Sequence, residues 1–144
     1  MSGEKDDALA ANVEELKAKS RGEPIASFLG LNLVELSPGY AKVTMEMRPE
    51  YQNFNGIIYG GIIMSAADLA FAYASNSMSP GSVASQFNLH FVAGARVGDT
   101  LTAECRVLKS GRKVGVSEMT VTNQEGKLLA KATGTTIPTN QTLI

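Results

Sequence analysis

The sequence predicts an α+β fold in which a curved antiparallel sheet wraps around one long buried helix. Three observations carry that expectation. The first is Asn53–Asn76, a stretch that opens on polar and glycine residues and then turns almost wholly apolar, with Asp68 as its single charge. Within it Gly61–Ser75 is alanine-rich and free of proline, a helix of about four turns, and a helix apolar all round belongs in an interior. The second is a set of runs alternating with period two and bounded by turn residues, the mark of half-buried strands. The third is their order: two strands, the helix, then four strands. One face of such a sheet covers the helix and the other meets solvent or a partner.

Each element follows from local chemistry. Residues 1–7 are expected to fray, and Ala8–Lys19 carries Leu9, Val13 and Leu16 at helical spacing. Arg21-Gly22 ends that helix. Pro24–Leu29 is a short second helix, with proline at its first position, Gly30 as its stop, and Ile25, Phe28 and Leu29 as its apolar face. Leu31–Ser37 reads as a strand and Pro38-Gly39 as a turn. Tyr40–Arg48 alternates Ala41, Val43, Met45 and Met47 against Lys42, Thr44, Glu46 and Arg48, until Pro49 stops it. Beyond the long helix, Ser79-Pro80-Gly81 makes a break. Strands are then expected over Val83–Val92, Thr100–Leu108, Lys113–Thr122 and Lys127–Ile137. The third changes parity between Val114/Val116 and Met119/Val121, which suggests a bulge near Ser117-Glu118. Val97-Gly98-Asp99, Lys109–Arg112 and Asn123–Gly126 fit hairpin connections. The organisation expected is an N-terminal helical extension over residues 1–24, one domain over residues 25–138, and a loose tail over residues 139–144.

Composition narrows the function classes. At 144 residues, 44% hydrophobic and with a net charge of −1, the chain is an ordinary soluble globular domain. The charge balance gives no reason to expect nucleic acid or an acidic membrane surface as partner. The single Cys105 excludes an internal disulfide framework and suits a reducing, cytoplasmic setting. One cysteine and one histidine argue against a zinc site within the chain, so no metal is expected. The N-terminus is charged and lacks an apolar signal core. The apolar stretch before Asp68, Ile57–Ala67, is short of the roughly 20 residues that span a bilayer.

Two features of the central stretch invite chemistry. Gly60-Gly61 stands at the helix start, where each glycine costs roughly 1 kcal/mol against alanine. It is either a flexible turn or an unshielded helix tip, whose free N–H groups and positive dipole end polarise a carbonyl oxygen or hold an anion. Asp68 is an ionisable group in an apolar helix, which is costly unless paired. Either it is salt-bridged or capping something, or it is kept for chemistry. The two are eight residues apart, about 12 Å along one helix. A reacting carbonyl needs donor and base within roughly 3 Å, so one helix cannot supply both. Two helices packed antiparallel about a two-fold axis can, and a catalytic site here is expected between two subunits.

The same layout, with Asn53-x-x-Gly56-x-x-Tyr59-Gly60-Gly61, then Asp68, Ala70-Phe71-Ala72 and Asn76-Ser77, resembles the hotdog-fold thioesterases of the phenylacetic-acid-degradation type. Phe91, Gly98-Asp99, Leu101-Thr102-Ala103 and Gly111-Arg112 also fit, and the resemblance covers roughly residues 25–137. It implies a homodimer or homotetramer hydrolysing acyl-CoA thioesters, with coenzyme A entering as part of the substrate and no separate cofactor. It implies that Gly60 donates its N–H to the thioester carbonyl, that Asp68 of the neighbouring subunit activates water or attacks directly, and that Asn53 orients water or the thioester. Substrate contacts are implied for Gly61, Tyr59, Ser85 and the turn Lys109, Ser110, Gly111 and Arg112. Apart from the resemblance, that turn reads as a solvated hairpin tip, or as a basic cluster with Lys113 able to meet phosphates. Tyr59 stands where the family usually carries histidine. The only histidine, His90, lies on a strand face and reads as structural, which disfavours the related dehydratases. The alternative function is a non-catalytic acyl-CoA or acyl-carrier binder. Met45, Met64 and Phe71 are core residues first and acyl contacts second.

Overall fold

The Tyr40–Glu46 run places Ala41, Val43 and Met45 on one parity, and all three are fully buried. That strand is one of six in a computed structural model describing residues 2–139. The elements are α1 (Ser2–Ser20), α2 (Pro24–Leu29), β1 (Leu31–Ser37), β2 (Tyr40–Glu46), α3 (Gly60–Met78), β3 (Ser82–Phe91), β4 (Thr100–Ser110), β5 (Gly115–Thr122) and β6 (Leu128–Pro138). The strands form one antiparallel sheet in the order β1-β2-β4-β5-β6-β3. Its inner face buries Leu101, Ala103 and Cys105 of β4, Met119 and Val121 of β5, and Ala130 and Ala132 of β6 against α3.

Small residues on α3 let it settle close to the sheet centre: Ala66, Ala67, Ala70 and Ala74 are fully buried. Phe71 is the large exception. Its ring, 1% exposed, lies 5.9 Å from the Phe87 ring and directly over Gly134 of β6. A Cβ on Gly134 would stand 2.5 Å from two ring carbons, so the glycine is there for space and not for torsion. Burying a side chain of this kind contributes roughly 2–3 kcal/mol. At the far end of α3, Asn12 Nδ2 of α1 donates to the carbonyl oxygens of Asn76 (2.5 Å) and Ser77 (2.9 Å). These are among the last-turn acceptors that a helix cannot satisfy internally.

Several expectations change. Residues 2–7 are helical, not frayed: acidic Glu4 sits in the first turn, where it complements the helix dipole, and the alanine-rich segment behind it propagates the helix. The long helix spans Gly60–Met78, and it is not buried on all sides. Met64, Asp68 and Ala72, four residues apart, form an exposed stripe flanked by half-buried Gly61 and Ser65. Val97-Gly98-Asp99 is not a hairpin, because β3 pairs with β6 at the sheet edge and the chain crosses back to place β4 beside β2. Those residues instead dock on β2's end, with Met47 N donating to Asp99 O (2.8 Å) and Gly98 N to Met47 O (2.9 Å).

The bulge expected near Ser117-Glu118 belongs to β4, where Leu108 is the extra residue between Val107↔Ser117 and Lys109↔Val116. Strand β5 keeps one parity, burying Gly115, Ser117, Met119 and Val121. Its first inner position is a glycine because a neighbour leaves no room: a Cβ on Gly115 would stand 2.6 Å from Thr136 Oγ1. The turns at residues 111–114 and 123–127 are hairpins as expected. Pro138 belongs to β6 and Thr139 N donates to Gly81 O (3.0 Å). The remainder of the expected tail, residues 140–144, lies outside the described residues.

Candidate functional site

The segment before α3 is a closed loop held by its own backbone. Asn53 N donates to Ile57 O (2.7 Å) and Gly56 N to Asn53 O (2.9 Å), with Gly56 in the left-handed region at φ +72°. Asn53 Oδ1 accepts from Asn55 N (2.9 Å) and Ile57 N (3.2 Å), an Asx turn that closes the loop. The oxygen of Asn53 is therefore committed to its own loop, and its Nδ2 is the group left to face outward. Tyr59 N donates to Tyr51 O (2.8 Å), which fixes the direction in which the helix sets off.

At the helix tip the two glycines avoid the left-handed region. What distinguishes them is the two rings that lie on them. A Cβ on Gly61 would meet the Tyr59 ring at 2.4 Å, and a Cβ on Gly60 would meet the Phe91 ring at 2.9 Å. Gly60-Gly61 is thus a flat seat for two aromatic rings, one from the loop and one from the end of β3. Both rings remain largely exposed, Tyr59 at 60% and Phe91 at 56%, and the glycines are half-buried. Among the described residues, the N–H groups of Gly60 and Gly61 have no acceptor, and Tyr59 caps neither with its side chain. The tip is framed and not sealed, and its free donors and dipole suit a developing negative charge.

Asp68 stands two turns further along α3, on the open stripe. It makes no ion pair or hydrogen bond among the described residues, so the salt-bridged reading of this carboxylate is not what the fold contains. Burial of its surroundings raises its pKa above the ordinary aspartate range. Beside it lies a groove of about 290 Å³ between α2 and α3, with Ile25, Leu29, Leu31, Leu69 and Ala72 as its apolar lining and Glu23, Ser65 and Asp68 as its polar one. An exposed carboxylate that is nevertheless poorly solvated is a better base than one in open water.

The remaining predicted residues are spread along α3. Lys109, Ser110 and Gly111 lie near its C-terminal end, beside Ser75 and Ser79, and α3 is about 28 Å long. Lys109, Arg112 and Lys113 are exposed or nearly so, with no ion-pair partner among the described residues. Ser85 is exposed at a bulge of β3, its Oγ 3.3 Å from Thr135 O. It lies six residues from Phe91, roughly 20 Å along the strand. One chain therefore gathers Asn53, Tyr59, Gly60 and Gly61 at one end of α3, Asp68 near its middle, and Ser85 with the basic turn towards the other. Met45 and Phe71 are sealed in the core, whereas Met64 is 39% exposed on the open stripe. Cys105 is fully buried, with burial pushing its thiol up to about 12, and is no nucleophile. Two parts of this surface carry no local signal in the sequence. The Phe91 ring over Gly60 arises from a strand thirty residues on, and the α2 wall of the groove arises from a short helix whose apolar face names no partner by itself.

The chain is similar to known proteins over most of its length. Residues 55–130 match the profile of the thioesterase superfamily. A putative esterase of Archaeoglobus fulgidus is 36% identical over 121 residues, covering 84% of this chain and 79% of that protein. The acyl-coenzyme A thioesterase PaaI of Escherichia coli is 35% identical over 113 residues, covering 78% of this chain and 81% of it. The solved structure of the E. coli PaaI protein superposes with a TM-score of 0.86 at 31% identity, over 95% of this chain and 97% of that one. A Streptococcus mutans protein solved with acetyl-CoA bound superposes with a TM-score of 0.73 at 31% identity, over 76% and 88% of the two chains.

Proposed function

The chain belongs to the thioesterase superfamily, and from that premise we propose that it hydrolyses acyl-CoA thioesters to free acid and coenzyme A at a site shared by two subunits. The observation that carries the reading is the pairing of an open helix tip at Gly60 with an unpartnered, poorly solvated Asp68 that the same helix holds out of reach. In the proposed step, Asp68 of one subunit takes a proton from water, and the water oxygen bonds to the thioester carbon. The carbonyl oxygen becomes an oxyanion held by the Gly60 N–H of the other subunit. Collapse breaks the C–S bond, and the departing thiolate takes up the proton. Direct attack by the Asp68 carboxylate reaches the same products through a mixed anhydride that water then opens. In this reading the Nδ2 of Asn53, whose oxygen is taken up by its own loop, holds the thioester or the water.

Sheet topology supports a second copy. Strand β3 is an edge strand ten residues long, with neither proline nor a lysine to blunt it, and open edges pair. The other edge, β1, is irregular at Val34 and packs against α1 and α2. Two β3 strands paired antiparallel set the two α3 helices antiparallel as well. In that arrangement Ser85 of the partner subunit approaches the Phe91 end of β3, and with it the Gly60 tip. The basic turn Lys109–Arg112 is left to meet the phosphates of coenzyme A.

Mixing two inactive chains tests the shared site. Gly60→Pro removes the tip N–H, and Asp68→Asn removes the base. If tip and carboxylate come from different subunits, random exchange into dimers restores about one quarter of wild-type thiol release, because each mixed dimer carries one intact site. If they come from one chain, mixing restores nothing. A non-catalytic binder, the second reading, is favoured by the Tyr59 ring lying across the tip. It requires tight acyl-CoA binding with no thiol released by the wild-type protein.

A further inference from the structure

We propose that the groove between α2 and α3 receives the acyl group, that Ile25, Leu29, Leu31, Leu69 and Ala72 set the acyl preference, and that the preferred group is apolar and of medium length. This rests on the hydrolase reading above and adds to it the class of substrate. The groove shares Asp68 with the proposed chemistry, so an acyl carbon bonded to the reacting carbonyl leaves that carboxylate along one of the surfaces beside it. The surface on the α2 side is the apolar one. Ile25 is 52% exposed although its chemistry calls for burial, and Leu29 and Leu31 continue the same wall. Ala72, exposed on the same stripe, forms the open floor one turn beyond Asp68.

Size and polarity bound the occupant. An apolar cavity of about 150 Å³ accepts one benzene ring. The groove's 290 Å³ is about twice that, enough for an acyl group of roughly six to ten carbons. Its lining also includes Glu23, whose Oε1 accepts from Tyr73 Oη (2.7 Å) one residue beyond Ala72. A carboxylate there penalises further methylenes, because they would desolvate it without pairing it. Acetyl is too small to use the wall, and palmitoyl must leave most of its length in water.

The test is kcat/KM for acetyl-, octanoyl- and palmitoyl-CoA with the wild-type protein, Ala72→Phe and Ile25→Ala, each checked for folding by thermal melt and for oligomeric state by light scattering. Wild type should prefer octanoyl over both others. Each methylene placed in the groove favours catalysis about threefold to fourfold. Ala72→Phe should lower the octanoyl-to-acetyl ratio at least about tenfold by occupying the floor, and Ile25→Ala about fivefold by removing wall. Ile25 is exposed enough for its truncation to leave the fold intact, so it decides the matter alone if Ala72→Phe fails to fold. A wild-type enzyme whose chain-length preference survives both changes overturns the groove assignment and leaves the hydrolase reading standing. No thiol released from any of the three thioesters overturns both. Dissociation of the Ala72→Phe protein, with the Ile25→Ala preference unchanged, assigns the groove to a second copy of this chain and overturns the inference.

Discussion

Gly60→Pro isolates the oxyanion donor from everything else at the helix tip. Gly60 is the first residue of α3, the position at which proline is best tolerated, since its N–H has no intrahelical acceptor to lose. Tyr59 precedes it at φ −58°, ψ 130°, the conformation that a following proline demands. The new Cβ would stand 2.9 Å from the Phe91 ring. That ring is 56% exposed and has solvent to turn into. Stability should stay within about 1 kcal/mol of wild type, with the proline's restriction of the unfolded chain offsetting the ring's displacement. Turnover should not: loss of one oxyanion donor costs about 2.7–4 kcal/mol of transition-state stabilisation, a fall of roughly a hundredfold to a thousandfold in kcat. Gly60→Ala brings the same Cβ to the same ring but keeps the N–H, and should stay within about twofold of wild type. Thiol release under saturating acyl-CoA, alongside thermal melts of all three proteins, makes the comparison. A folded Gly60→Pro protein with wild-type kcat refutes the role of the Gly60 N–H, whatever else the site does.

Further outcomes are expected at Asp68 and at Gly134. Asp68→Asn should lower turnover by about a hundredfold to ten-thousandfold. The wild-type pH–rate profile should show an acidic limb above the ordinary aspartate range, because desolvation raises the Asp68 pKa and activity needs the ionised form. The same shift fixes the sign for stability. A carboxyl whose pKa is raised on folding contributes stability when protonated and loses it as pH rises through the folded value. Asp68→Asn should therefore melt no lower than wild type at neutral pH, and a lower melting point there would mean that Asp68 has a stabilising partner. Gly134→Ala should destabilise, because the new Cβ falls 2.5 Å from the Phe71 ring and Phe71, 1% exposed, has nowhere to go. Overpacking of this kind costs about 1–3 kcal/mol, roughly 4–12 °C in Tm. Adding Phe71→Leu should recover part of that loss, and strict additivity of the two changes in denaturant melts would show that the ring is not the obstacle.

The elements and the fold class were legible in the sequence because their signals are local. Alternation along Tyr40–Glu46 names a buried face without reference to any other strand, and the alanine-rich run after Gly61 names a helix in the same way. So do the turns at Gly111 and at Asn123–Gly126. Where the local signal is diluted, it misleads: Gly115 and Ser117 occupy inner positions without apolar side chains, so β5 shows an apparent change of parity while the bulge lies in β4. Asn53 and the Gly60-Gly61 pair were picked out by residue type, but their physical roles were not available from type. The Asn53 oxygen closes its own loop, and the glycines make room for rings.

By itself, then, the sequence determined six strands around one long helix, and a candidate donor and base set too far apart on that helix to act on one carbonyl. Only the tertiary structure decided that β3 pairs with β6 and leaves an open edge. It alone decided that α3 keeps one stripe uncovered at Asp68, and that α2 walls an apolar groove beside it. The physical reason is range. Period and turn chemistry are fixed within a few residues, whereas strand order and the covering of a helix face are sums of many weak contacts between segments tens of residues apart, and no short window of the chain contains them.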